Sequence, residues 1–136
     1  MKKRILFIED ERFFLEELQL ALTQYDITPA YTAPGGLEII QNGGFDAVLL
    51  DIMMPPPEDM DPEHVGYGRS TGVEVCRRIK ELHPQLPVVI LSVVRDPEIL
   101  EQIKEVGADR IINKPVSSSE VSAVLDEVLN TEAQRS

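Results

Sequence analysis

Hydrophobic positions along this chain fall into two rhythms that take turns. Short, largely apolar runs, Arg4–Ile8, Ile27–Thr32, Phe45–Leu50, Pro87–Leu91 and Arg110–Asn113, predict five strands, and the unbroken apolar stretches within them read as buried parallel strands, because such strands lack the polar alternation of half-exposed ones. Between them the spacing lengthens to that of helices. Leu15, Leu18, Leu22 and Tyr25 form one helical face, and Val75, Ile79 and Leu82 another, stopped by His83-Pro84. A weak helix is predicted over Leu37–Gln41, between Pro34-Gly-Gly and Asn42-Gly-Gly. Asp96-Pro97 supplies a cap and a first-turn proline ahead of Ile99, Ile103 and Val106, and Gly107 ends that helix. Ser117 and Glu120 have capping-box spacing before Val121, Val124, Leu125 and Val128.

Five strand–helix units in succession imply an α/β fold, because right-handed crossovers return each strand to the same end of a parallel sheet. A flavodoxin-like doubly wound sheet of order 2-1-3-4-5 with five helices fits the pattern. It sets the first and third strands side by side at the topological switch point, where ligands bind at the strands' carboxyl ends. The residues found at those ends could all handle a phosphoryl group or a metal ion: Glu9, Asp10 and Glu11, then Asp51, then Ser92, then Asn113, Lys114 and Pro115.

Composition narrows the picture. At 136 residues the chain is expected to be one domain over 1–136, large enough to bury a core without a disulfide, and its one cysteine, Cys76, reads as a small buried hydrophobe. The apolar stretch after the basic N-terminus is too short for a signal peptide, and no run has the length of a membrane span, so a cytoplasmic protein without membrane insertion is expected. A formal net charge of −11 argues against direct nucleic-acid binding.

Ile8-Glu-Asp-Glu11, Leu49-Leu-Asp-Ile-Met-Met-Pro55, Ile90-Leu-Ser92 and Asn113-Lys-Pro115, in this order, resemble the receiver domain of bacterial two-component response regulators, of the chemotaxis-regulator type. The resemblance runs from about Lys3 to Leu129 and implies a role in a His-Asp phosphorelay. Asp51 would be the phosphoacceptor, loaded by a histidine kinase or phosphotransfer protein. Glu9, Asp10, Asp51 and the main-chain carbonyl of Met53 would hold Mg2+ or Mn2+, with Glu9 acting mostly through a water. Ser92 and Lys114 would take phosphoryl oxygens, and Lys114-Pro115 would be a cis peptide. Taken singly, a strand-end aspartate is most often a solvated turn residue or a cap, and a lone lysine a surface charge. Convergence favours the site, since crowded carboxylates repel one another unless a cation joins them. Glu11 reads instead as a residue at the first helix's start.

Several positions depart from the family pattern. Sixteen residues, Pro56–Thr71, stand where the family has a turn of a few, and this enlarged loop, rich in proline, glycine and acids, is expected to be exposed and irregular. His64 and Ser70 break its superficial likeness to a calcium loop. Val93 replaces the usual small residue after the hydroxyl. Met53 and Val94 put apolar groups where relatives can help a water approach, which predicts slow entry of small phosphodonors and slow loss of the phosphoryl group. Ile111 replaces the aromatic ring that moves on activation, so switching is expected to rely on Ser92 and the segment after it.

The expected function is thus a phosphorylation-switched receiver that modifies itself and turns over no separate metabolite. It would act on a downstream protein partner or a fused output domain, as a monomer or a phosphorylation-dependent dimer. With no output segment after Ser136, the chain reads as a stand-alone receiver or a piece of a longer regulator. Exposed Glu98, Gln102, Glu105 and Arg110 are candidates for the output surface. The alternatives are a phosphorylation-independent docking module of the same fold and an aspartyl-phosphate hydrolase. Asp51-Ile-Met lacks the second acid of the haloacid-dehalogenase pattern, which counts against the hydrolase.

Overall fold

The computed structural model describes the backbone of residues 1–135 and the side chains of residues 1–130. Strands β1 (Lys3–Ile8), β2 (Tyr25–Ala30), β3 (Ala47–Asp51), β4 (Val88–Ser92) and β5 (Arg110–Asn113) alternate with helices α1 (Arg12–Ala21), α2 (Ala33–Ile40), α3 (Thr71–Leu82), α4 (Pro97–Glu105) and α5 (Ser118–Arg135). All pairings are parallel and the order is β2-β1-β3-β4-β5, as the alternation predicts.

Period-two geometry divides the strand residues between two cores. Leu6, Ile8, Val48, Leu50, Val88 and Ile90 face α2, α3 and α4, where they meet Ile40, Val75, Ile79 and Ile103. Ile5, Phe7, Ala47, Leu49, Val89 and Leu91 face α1 and α5, against Leu15, Leu18, Val121 and Leu125. Covering both faces explains why β1, β3 and β4 read as nearly unbroken apolar runs, whereas β2 and β5, at the two edges of the sheet, keep exposed or half-exposed positions. Among the described residues no helix is long and apolar enough to cross a membrane.

The local capping signals hold. Asp96 accepts a hydrogen bond from the Glu98 amide at 2.9 Å. Ser117 Oγ accepts from the Glu120 amide at 3.1 Å while Glu120 accepts from the Ser117 amide at 3.3 Å. Cys76 is fully buried, and burial pushes its thiol up to about 12.

Three boundaries and one burial differ from the pattern. Tyr25 continues the helical spacing of α1 but opens β2, where it pairs with Lys3 in register and donates a hydrogen bond from its hydroxyl to Asp126 of α5. Thr32, expected to end the second strand, caps α2, its Oγ1 accepting from the Gly35 amide at 3.0 Å. That helix therefore includes Pro34, whose missing N–H costs nothing in a first turn. Phe45 lies before β3, its ring under the Arg4 guanidinium at 4.6 Å. Leu82, in the last turn of α3, is exposed.

The segment between β3 and α3 also departs from expectation. It is irregular apart from one 3₁₀ turn at Gly66–Gly68, and Glu58, Asp61, Glu63 and Tyr67 face solvent. It is nevertheless tied down. Met60 and Val65 are 4 % and 2 % exposed, inside the core that covers α3. The Asp59 carboxylate meets Arg78 at 3.0 Å, and the Met54 amide donates to the Gly68 carbonyl at 3.1 Å. Gly68 permits that closure because its φ is +105° and an added Cβ would sit 3.0 Å from the Met54 carbonyl oxygen. Two isolated apolar residues carry no periodicity, so composition alone pointed to a free loop. Met60→Ala should lower unfolding free energy by about 2 kcal/mol in urea titrations, the cost of a core truncation. A change under about 0.5 kcal/mol would mean that Met60 is not part of the core.

Candidate functional site

The carboxyl ends of β1, β3 and β5 meet on one edge of the sheet. Past Ile8 the ladder to β2 runs one residue further, the Glu9 amide donating to Ala30 at 2.9 Å, and this holds Glu9 fully buried. Asp10 follows at the surface. Asp51 is the last residue of β3, 5 % exposed and paired in register with Leu91. Oxygens of Glu9, Asp10 and Asp51 all lie within 4.8 Å of one another.

Lys114 completes the cluster. Its amide donates to the Ser92 carbonyl at 2.8 Å, extending the β4–β5 ladder, and its peptide bond to Pro115 is cis. Lys114 Nζ then lies 2.9 Å from Glu9 Oε1 and 3.3 Å from Asp51 Oδ1. The same ammonium sits 4.7 Å from the ring centre of Phe14, a cation–π contact, and Phe14 in turn packs edge-on against Phe7.

Burial governs the electrostatics. It pushes Glu9 up to about 8, with the Asp51 charge adding to the rise and Lys114 opposing it. Asp51 is likewise raised by burial, against the pull of Lys114. Burial alone would lower Lys114, but the Glu9 hydrogen bond and the Asp51 and Glu9 charges outweigh it, so the amine is held above its ordinary range. One amine cannot neutralise three carboxylates. An all-oxygen donor set with surplus negative charge, part buried and part open at Asp10, fits a hard divalent cation.

The remaining candidates lie in neighbouring segments. Ser92 ends β4 fully buried, and its Oγ accepts from the Val94 amide at 2.9 Å. Met53 lies in backbone held on both sides, the Ile52 amide bonded to Leu91 at 3.2 Å and the Met54 amide to Gly68 at 3.1 Å, while its side chain is exposed. Val93 is exposed too, whereas Val94 turns into the core beneath α4, so of Met53 and Val94, the two positions expected to hinder water, only Met53 faces the surface. Ile111 is half-buried in β5, Pro115 is exposed, and Glu11 stands at the N-cap of α1 with its side chain making no cap hydrogen bond. Glu98, Gln102 and Glu105 are exposed on α4, and Arg110 is paired with Glu127.

Sequence reasoning missed Phe14 and Gly72. No local signal marks Phe14, since only the fold carries Lys114 over its ring. Gly72 stands in the second position of α3, where an added Cβ would lie 2.5 Å from the Asp51 carbonyl oxygen.

Comparison with known proteins agrees with the fold and the motifs. The family model described as the response regulator receiver domain matches residues 5–126. The transcriptional regulatory protein DltR of Streptococcus agalactiae serotype III (strain NEM316) is 30% identical over 122 residues, covering 88% of this chain and 49% of that protein. The response regulator MprA of Mycobacterium sp. (strain KMS) is 32% identical over 127 residues, covering 90% and 49%. The chain spans about half the length of these curated relatives. Among solved structures, a CheY-like response regulator receiver domain protein from Methanospirillum hungatei JF-1 superposes with a TM-score of 0.86 at 26% identity, covering 100% of both chains.

Proposed function

This chain belongs to the response regulator receiver domain family, and we propose that within it Asp51 accepts a phosphoryl group from a histidine kinase or phosphotransfer protein and so switches a partner-binding surface. The observation that carries this reading is the placement of Lys114 Nζ between Glu9 and Asp51, at 2.9 and 3.3 Å, beside a cluster of three acids. Asp51 is the nucleophile: a carboxylate oxygen bonds to phosphorus, the donor's leaving group departs with its electron pair, and an acyl phosphate remains. Lys114 pairs with one phosphoryl oxygen as a point charge, and the Ser92 hydroxyl donates a hydrogen bond to another. Glu9, Asp10, Asp51 and the Met53 carbonyl are the groups that would hold magnesium. Bound there, the ion would neutralise charge between the acceptor carboxylate and the anionic phosphoryl group.

Phosphorylation then favours one of two conformations of the segment after Ser92, and a partner reads the difference. The relatives' names, a transcriptional regulatory protein and a response regulator, support an output partner or fused domain that acts on transcription. Apart from the donor of its phosphoryl group, the domain acts on no substrate but itself. Incubation with a small acyl-phosphate donor and magnesium should add the mass of one phosphoryl group to the intact chain, and excess chelator should stop it. Uptake that the chelator leaves untouched, or no uptake with any acyl-phosphate or histidine-kinase donor, overturns the reading.

A further inference from the structure

Arg95 stands just beyond β4, exposed, yet its guanidinium rests on three main-chain carbonyls. Nη1 donates to Ser92 and to Val94, each at 3.3 Å, and Nη2 donates to Lys114 at 3.2 Å. Two of those carbonyls belong to the residues assigned above to the phosphoryl oxygens. The β4–β5 ladder ends with the pair Ser92 and Asn113, followed only by the Lys114 amide bond to Ser92 at 2.8 Å. Past that point the strands diverge into separate loops, and Arg95 spans the gap between them.

We propose that Arg95 is a positioning residue, a strap that holds the backbones carrying the Ser92 hydroxyl and the Lys114 amine in mutual register. The inference rests on the acceptor reading of Asp51. A guanidinium suits the task because its planar fork presents five donors in fixed directions, enough to reach carbonyls on two loops at once, whereas a lysine ammonium is a single point. The Val94 amide already holds Ser92 Oγ at 2.9 Å, which leaves the hydroxyl proton as the group free to donate. With Arg95 cut away, the segment after Ser92 keeps that inner bond but loses its side-chain tether to the Lys114 carbonyl, so that the Lys114 amide bond to Ser92 is left to hold the two loops in register by itself. The two donors then no longer arrive pre-set for the phosphoryl oxygens, and small misplacements of reacting groups carry large rate penalties.

Arg95 touches none of Glu9, Asp10 and Asp51 through these bonds, so it should affect phosphoryl uptake and metal affinity differently. The test uses the full chain with acyl-phosphate donor at saturating magnesium, followed by intact mass, with magnesium affinity measured separately by calorimetry. Arg95→Ala is expected to slow uptake about tenfold, with magnesium affinity within about twofold of the wild type, and Arg95→Lys to recover only part of the rate. An Arg95→Ala rate equal to wild type overturns the proposal. So does a fall in rate, magnesium affinity and thermal midpoint together, which would mark a merely structural arginine, or full recovery with lysine. A wild-type chain that takes up no phosphoryl group overturns the acceptor reading and this inference with it, whereas normal wild-type uptake with an unaffected variant overturns the strap alone.

Discussion

Asp51→Asn is expected to fold at least as well as the wild-type chain and to take up no phosphoryl group from any donor. The amide has the shape of the carboxylate, so packing at the end of β3 is kept, but its oxygen is not an anionic nucleophile and forms no acyl phosphate. Its effect on stability has a definite sign. Burial raises both Glu9 and Asp51, and the Asp51 charge raises Glu9 further, to about 8 from an ordinary 4.5. Acids whose folded values are raised are ionised more easily in the unfolded chain. The contribution of these two groups to stability is therefore fully present below the ordinary carboxylate range and is lost as pH climbs toward the folded value. Without added metal, the wild-type urea midpoint should fall between about pH 5 and pH 8, and it should fall less in Asp51→Asn, which removes one titrating group and the repulsion on the other. Intact mass after incubation with donor and magnesium decides the chemistry. A folded mutant that still becomes fully phosphorylated places the acceptor elsewhere, and a steeper pH dependence in the mutant refutes the charge account.

What could be read from the chain was local or periodic, and what could not depended on contacts between distant residues. The acids and Lys114 were legible because each directly follows a buried run, and a parallel sheet carries all such ends to one edge. The caps at Asp96 and Ser117 were legible because a cap bonds within three residues. Tyr25 misled because its spacing continued that of α1, while its actual place is set by Lys3 in β1 and Asp126 in α5. Met60 and Val65 were lost among prolines and acids because burial in an irregular segment leaves no period. Phe14 beneath Lys114 and Arg95 across two loops belong to the same class: ordinary residues whose roles come from a partner far along the chain.

Gly72 shows how close packing from outside the acidic cluster sets the geometry within it. The Gly72 amide donates to the Ile52 carbonyl at 2.8 Å, pinning the start of α3 to the chain just past the acceptor. A Cβ at this position would lie 2.5 Å from the Asp51 carbonyl oxygen and 2.6 Å from Ile52 Cα, and both are backbone atoms that cannot rotate aside. Gly72→Ala must then push α3 away from β3, stretching the hydrogen bond and moving the peptide that carries Asp51. The expected cost is about 3 kcal/mol of unfolding free energy, at the upper end for overpacking because the neighbour is main chain. Gly43 separates steric crowding from backbone conformation, because its φ of +70° disfavours alanine while the nearest atom to an added Cβ is 3.9 Å away. Gly43→Ala should cost only about 1 kcal/mol, the penalty of a left-handed backbone. Urea unfolding followed by circular dichroism measures both. The folded fraction of Gly72→Ala should also take up phosphoryl groups more slowly than Gly43→Ala, since only the former shifts the acceptor's own peptide. Equal costs for the two substitutions would show that α3 can yield at its first turn, and that the close contact beneath Asp51 does not hold the acceptor in place.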